Sequence, residues 1–378
     1  MDDVINLSSQ LVAIDSVNPD LVPGGRGEGA IADFVAMWLR ERRFEVHRLE
    51  DRPGRPSIVG VSRGSGGGRT LMFNGHIDTV TLVGYDGEPL VPRIADGKLF
   101  GRGAFDMKSG VAAMMVAAAR AARQKLAGDI VVACVADEEH ASFGTEAVVR
   151  RFTADGAIVT EPSHLELTLA HKGFVWFDAT ILGRAAHGSR PELGIDAIAK
   201  AGHFLVALEA LDRRLRAHPS HGILGSGSVH ASLIAGGAEL SSYPAECRVS
   251  LERRTIPGET ADTVEAELRH ILGGLVETVP DFRYHLERGL ARPPFEASPA
   301  EAIVTVLSAQ AERALGHKPK LRGEPFWTDC AILQGAGIPC LMFGADGGGA
   351  HAATEWADIG SVRSLSEILY ATACEFCR

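Results

Sequence analysis

Five short segments set metal-binding or proton-carrying side chains at the ends of apolar runs. The first is Asn74-Gly75-His76-Ile77-Asp78. Residues two apart in an extended chain face the same side. His76 could therefore bind a metal while Asp78 accepts its other ring N–H, the support that metal-bound histidines usually have. The second is Gly101-Arg102-Gly103-Ala104-Phe105-Asp106-Met107-Lys108, where glycines surround an acid just before a helix; a plain N-cap is the structural alternative. Ala136-Asp137-Glu138-Glu139-His140 gathers three carboxylates, which repel one another unless protonated, solvated or facing cations. Glu161 follows the run Ala157–Thr160, and His351 is presented by the Gly-rich stretch 344–349.

Taken together these residues suit a pair of zinc ions. Two ions bring four positive charges, offset by the carboxylates of Asp106, Glu139 and Glu161 and by one bridging hydroxide. With Asp106 bridging, each ion receives one His, one terminal carboxylate, the shared Asp and the shared solvent oxygen. That is the four-coordination zinc prefers when it activates a water. Glu138 is left over beside the cluster, free to move protons. His140 is an extra candidate ligand.

The elements that must position these groups alternate between strand and helix. Thr70–Phe73, Ile130–Ala136, Ala157–Thr160 and Ile338–Phe343 read as buried strands. Residues 28–41 carry Ile31, Phe34, Val35, Trp38 and Leu39 at helical spacing, and Val111–Lys125 reads as a packed helix. Strands separated by helices imply an α/β fold with a mostly parallel sheet flanked by helices, in which ligands bind at the carboxyl ends of strands. Between 174 and 289 the rhythm changes to strand, helix, two strands, helix, strand, the ferredoxin-like order. The sequence thus divides into 1–173 with 290–378, and an inserted α+β domain at 174–289. Ser298-Pro299-Ala300-Glu301 reads as a capping box where the first style resumes.

A chain of 378 residues exceeds the size at which one core usually divides. Its net charge of −10, spread without blocks, disfavours nucleic acid or an anionic membrane as the main partner. No apolar run reaches the roughly 18 residues of a membrane span. Met1-Asp2-Asp3 is acidic and unlike a signal peptide, so a cytoplasmic location is expected. Of the six cysteines, Cys374 and Cys377 form C-x-x-C without a second ligand pair, and the others read as small buried hydrophobes.

The combined pattern resembles the two-zinc metallopeptidase family of acetylornithine deacetylase, succinyl-diaminopimelate desuccinylase, aminoacylase and carboxypeptidase G. The resemblance runs through His76-Ile-Asp78, Gly101-Arg-Gly-x-x-Asp106-Met-Lys, Asp137-Glu138-Glu139, Glu161-Pro162 and His351-x-x-x-Glu355. It continues through Lys172-Gly173, Ala186-His187-Gly-Ser-x-Pro191, Arg254-x-x-Pro257-Gly258 and Thr328-Asp329. It implies a zinc-peptidase-like catalytic domain and an inserted lid and dimerisation domain. It also implies two Zn²⁺ per chain, with Co²⁺ or Mn²⁺ as substitutes. His76 and Glu161 would complete one metal site, Glu139 and His351 the other, with Asp106 bridging. Glu138 would be the general base and Asp78 would orient His76. Arg254 would bind the substrate's carboxylate, with a surface salt bridge to Glu252 or Glu259 as the plain alternative. His187 would reach an active site, that of the partner subunit in a homodimer. The sequence departs from the family at Ser241, where Asn is usual, at Ser109 and at Gly188.

The expected reaction is hydrolysis of the amide bond of a small N-acyl-amino acid. Glu138 would carry a proton from water to the leaving amine. A dipeptidase or carboxypeptidase acting on dipeptides through the same centre is the nearest alternative. A non-catalytic binding protein that keeps the fold is the alternative from another class.

Overall fold

The computed structural model describes residues 3–378; Met1 and Asp2 of the acidic N-terminus lie outside it. The chain separates into two compact units. The first comprises residues up to Leu169, Ala297–Arg322 and Thr328–Arg378. The second comprises Ala170–Glu296 and Gly323–Trp327. The division thus falls a few residues outside the 174–289 expected from the change of rhythm, and a short late segment joins the second unit.

In the first unit a sheet runs in the order Glu45–Leu49, Ser57–Ser62, Ile130–Val135, Leu71–His76, Gly156–Val159, Cys340–Met342, Leu167–His171. Ile130–Val135, Leu71–His76, Gly156–Val159 and Cys340–Met342 pair in parallel. The outer neighbours pair antiparallel, so the sheet is mixed, with its parallel part in the middle. The inner strands are buried on both faces, which is why they read as unbroken apolar runs. Ser109–Ala121, composed almost wholly of Ala, Met, Val and Gly, packs against Ile359–Phe376. The latter helix is capped by Asp358, which accepts the Ser361 N–H at 2.7 Å.

Register decides where the chemistry lands. His76 is level with Val135, and Asn74 is level with Val159. The residues that follow these strands, Asp137 to Glu139 and Thr160-Glu161, therefore leave the sheet at the same carboxyl edge as His76. A second, small antiparallel sheet of Gly347–Gly348, Trp356–Asp358, Lys98–Phe100 and Arg93–Ala95 ties the His351 loop to the segment leading to Asp106. The capping box at Ser298 is corrected. The helix begins at Ala302, after a turn in which Ser298 Oγ accepts the Ala300 N–H at 3.2 Å. The side chain that was to cap the helix is consumed one turn earlier.

The second unit is a four-stranded antiparallel sheet, ordered Ser228–Gly236, Glu246–Thr255, Gly173–Leu182, Arg283–Arg292. The helices Ala197–Ala217 and Ala261–Thr278 contribute to its core. Phe204, Leu208 and Leu268 meet Phe177, Val249 and Leu251 there. Numbered by chain order within the unit, the strands run second, third, first, fourth, the ferredoxin-like arrangement. Thr260 and Thr263 cap the second helix reciprocally.

Candidate metal centre

Asp106 sits in an irregular turn between Gly103 and Ser109, not at the N-cap of the helix that follows. Its two carboxylate oxygens face two histidines. Oδ1 is 3.0 Å from His76 Nε2, and Oδ2 is 3.3 Å from His351 Nε2. His76 Nε2 also lies 3.4 Å from Glu161 Oε1, and His351 Nε2 lies 3.1 Å from Glu139 Oε2. The residues expected as ligands are therefore gathered in one place, arranged as two half-sites about one carboxylate. Donor atoms of His76, Asp106 and Glu139 lie within 4.8 Å of one another, as do those of His76, Glu138 and Glu161.

Asp106 is aimed by a residue to which sequence reasoning gave no role. Buried Glu355 accepts the N–H groups of Gly103, Phe105 and Asp106, each at 3.0 Å, and pairs with Arg102 Nη1 at 2.9 Å. A carboxylate accepting three main-chain donors fixes the turn's path. Lys108, fully buried, donates to the Ile14 carbonyl at 2.8 Å, and burial holds its ammonium down to about 8.

Asp78 supports the centre differently from what was expected. His76 Nδ1 lies 3.0 Å from the Asp78 main-chain carbonyl, while the nearer carboxylate oxygen is 3.6 Å away. The carboxylate instead accepts the N–H groups of Glu138 and Glu139, each at 3.2 Å, and the Asn18 amide at 2.8 Å. Because a carbonyl only accepts, Nδ1 carries a proton. Against burial, the charge of Glu161 and then the bond to Asp106 raise His76 well above its ordinary value, so in the metal-free chain Nε2 also holds a proton, whose place between two carboxylates a cation can take. The donor set fits divalent cations on that ground. It fits also because, among the described residues, the buried Glu139 Oε1 has no hydrogen-bond partner.

The electrostatics agree. Burial, then the charge of Glu161, pushes Glu138 well above the carboxylate range. Burial, reinforced by Asp106, raises Glu139 to about 7. Glu161 is raised by burial against the pull of His76. Burial alone would raise Asp106 too, but its bonds to His351 and His76 hold it well down. His351 is raised to about 10 by Asp106 and then Glu139. So many buried carboxylates with only two histidines between them form a site for added positive charge. A further buried acid, Asp329, is raised by burial to about 6. It accepts the Thr145 hydroxyl at 2.6 Å, and Thr145 Oγ1 in turn accepts the Asn74 amide.

Three other expected residues have partners of their own. His140 turns toward Asp137, its Nδ1 3.9 Å from Oδ1, and does not join Glu139. In the second unit, Arg254 pairs with Glu252 at 2.7 Å and lies over the Phe174 ring, while Arg253 points to the opposite face, buried against Glu259. His187 is exposed, its Nδ1 2.8 Å from the Ser189 hydroxyl.

Residues 72–375 match the profile of peptidase family M20/M25/M40. The chain is 28% identical to N-formyl-4-amino-5-aminomethyl-2-methylpyrimidine deformylase of Bacillus subtilis, covering 100% of this chain and 95% of that one. It is 29% identical to acetylornithine deacetylase of Myxococcus xanthus, covering 98% and 96%. Among solved structures it resembles aminopeptidase PepT of Bacillus cereus, with a TM-score of 0.81, 20% identity and coverage of 99% and 98%. It also resembles the YXEP protein of Bacillus subtilis, described as a dinuclear metal binding peptidase, with a TM-score of 0.77, 16% identity and coverage of 99% and 97%.

Proposed function

The chain belongs to peptidase family M20/M25/M40, and from that premise we propose that it hydrolyses the amide bond of small N-acyl-amino acids at a two-metal centre. The observation that carries this reading is the division of Asp106, one oxygen toward His76 and the other toward His351. His76, Asp106 and Glu161 would hold one divalent ion, and Asp106, Glu139 and His351 the other, with zinc the metal best suited to these donors. Bound there, the ions would supply Lewis acidity and a water acidic enough to attack at neutral pH. Glu138, half-buried beside His76 and Glu161, is the proton carrier. It takes a proton as water attacks the carbonyl and returns it to the departing amine.

Relatives named as a deacetylase and a deformylase support an N-acyl substrate over a peptide. We assign recognition of the substrate's carboxylate to Arg254, whose guanidinium can make two parallel hydrogen bonds. To do so it must leave Glu252. His187 is assigned a contact with the scissile carbonyl in a homodimer. Pairing is supported by the edge strand Ser228–Gly236, whose exposed Leu233 and Ile234 (70% and 55%) are the kind of surface that a second strand covers. Six unpaired cysteines agree with a cytoplasmic location. Among the described residues no helix is long and apolar enough to cross a membrane. The non-catalytic reading has nothing to support it, because every expected donor and Glu138 are present.

The test is turnover on a panel of N-acetyl-, N-formyl- and N-succinyl-amino acids and dipeptides, before and after chelation and with zinc restored. Cleavage of an N-acyl-amino acid that follows the metal is expected; metal-loaded protein inert toward every N-acyl-amino acid would refute the proposal. Arg254→Ala should lower kcat/KM by about ten- to 150-fold, the worth of a hydrogen bond to a charged group. Esterifying the substrate carboxylate should cost the unaltered enzyme a similar factor. The two losses should not multiply; full multiplication would remove Arg254 from recognition.

A further inference from the structure

Beneath the Asp137-Glu138-Glu139 loop lies a buried polar assembly centred on Arg55. This residue comes from an irregular segment, and its side chain is only 7% exposed. Its Nε and Nη2 grip the two oxygens of Glu28, Nη2 at 2.7 Å from Oε1. Nη1 reaches Asp20 Oδ2 at 2.7 Å. Nη2 also reaches Asn18 Oδ1 and Asp137 Oδ1, each at 3.0 Å. Asn18 passes the contact onward: its Nδ2 donates to Asp137 Oδ1 at 3.0 Å and to Asp78 Oδ2 at 2.8 Å. The Asn18 amide cannot be turned over. Its Oδ1 faces the donors of Arg55 and the Asp20 N–H, and its Nδ2 faces two carboxylates. Asp78 ends the chain on the N–H groups of Glu138 and Glu139.

Asp137 anchors the same loop from within. Its backbone is left-handed, with φ at 68°, and its carbonyl accepts the N–H groups of Ala141 and Ser142. A non-glycine residue is held there only when its surroundings determine it. Here those surroundings are Arg55 and Asn18, which occupy its Oδ1.

We propose that Arg55 is a positioning residue for hydrolysis, holding Asn18 and Asp137 so that Asp78 fixes the main chain from which Glu138 and Glu139 enter the centre. The inference rests on the roles given above to Glu138 and Glu139. Arginine is required because one planar fork serves Glu28, Asp20, Asn18 and Asp137 together. A lysine at this place keeps the charge but not the fork. A merely structural ion cluster would act on stability alone.

The experiment compares Arg55→Lys, Asn18→Ala and the double variant as intact chains. It uses thermal unfolding, zinc titration and steady-state kinetics on whichever N-acyl-amino acid the unaltered enzyme cleaves. Partners of this kind are worth about ten- to a hundred-fold in metal affinity or activity. Each single variant should therefore lose that factor in kcat with KM little changed, and the same factor in affinity for the zinc equivalent held by Glu139. The double variant should be no worse than the more damaged single, since both lie on one chain of contacts. Folded variants with normal kcat and normal zinc affinity, whatever their melting temperature, would overturn the proposal. So would losses that multiply. If Arg55→Lys does not fold, Asn18→Ala, which removes no charge, decides the matter. If the unaltered protein cleaves no N-acyl-amino acid, the functional reading fails, and the zinc titration alone decides this one.

Discussion

His76 and His351 both turn Nε2 toward Asp106, yet they are held in different ways. His76 ends an inner parallel strand, is wholly buried, and donates its Nδ1–H to the Asp78 carbonyl. His351 lies beyond a Gly-rich loop, its side chain is 54% exposed, and its backbone is left-handed with φ at 60°. That loop is shaped by close approach: a Cβ on Gly344 would stand 2.0 Å from the Glu161 carbonyl oxygen. The same donor chemistry is thus delivered once by sheet register and once by a loop that must be fixed at both ends. The first half-site is preorganised by the fold, and the second depends on smaller local contacts.

The largest effect expected from one atom's change is at neither histidine. Glu138→Gln should keep both metals yet lose about 10²–10⁴-fold in kcat, the usual worth of a proton carrier. Loss of a metal with it would mean that Glu138 is a ligand and that its role has been exchanged with that of Glu139.

The two histidines should then separate by their effect on the metal-free protein, measured by denaturant unfolding. His76→Ala strips buried acceptors of their partner and should cost about 1–3 kcal/mol. His351→Ala removes half-exposed ion pairs and should cost about 0–1 kcal/mol. Each should lose mainly one metal. Equal destabilisation would erase the distinction between the strand-borne and loop-borne halves.

Glu355→Gln offers a finer test, because Glu355 supports Asp106, which both halves share. Its loss should weaken the two metal equivalents alike and cost about 1–3 kcal/mol, since buried Arg102 keeps the Thr81 and Ala352 carbonyls but loses its counter-charge. Weakening confined to one equivalent would show that Asp106 does not serve both.

Much of this was legible in the sequence, for a physical reason. Strands buried on both faces, such as Ile130–Val135, read as apolar runs, and parallel pairing sends the residues after them to one edge. The antiparallel outer strands were not legible. Glu45–Leu49 is short and only Leu49 is buried, so its sequence carries little alternation. Nor did the sequence disclose what steadies the centre. Arg55 meets partners 27, 35, 37 and 82 residues away, from segments with no periodicity of their own. Asp78 was expected to reach a ring nitrogen two residues back. Three N–H donors, all of them 60 residues away or more, claim its carboxylate instead.

In the proposed centre one carboxylate, Asp106, joins two metal sites. Zinc titration of the metal-free protein by calorimetry, with metal content counted after dialysis, tests it most directly. Two equivalents are expected for the unaltered chain, and for Asp106→Ala loss of both or severe weakening of both. One equivalent at saturation, or an Asp106→Ala protein that still holds one ion with its original affinity, would contradict it.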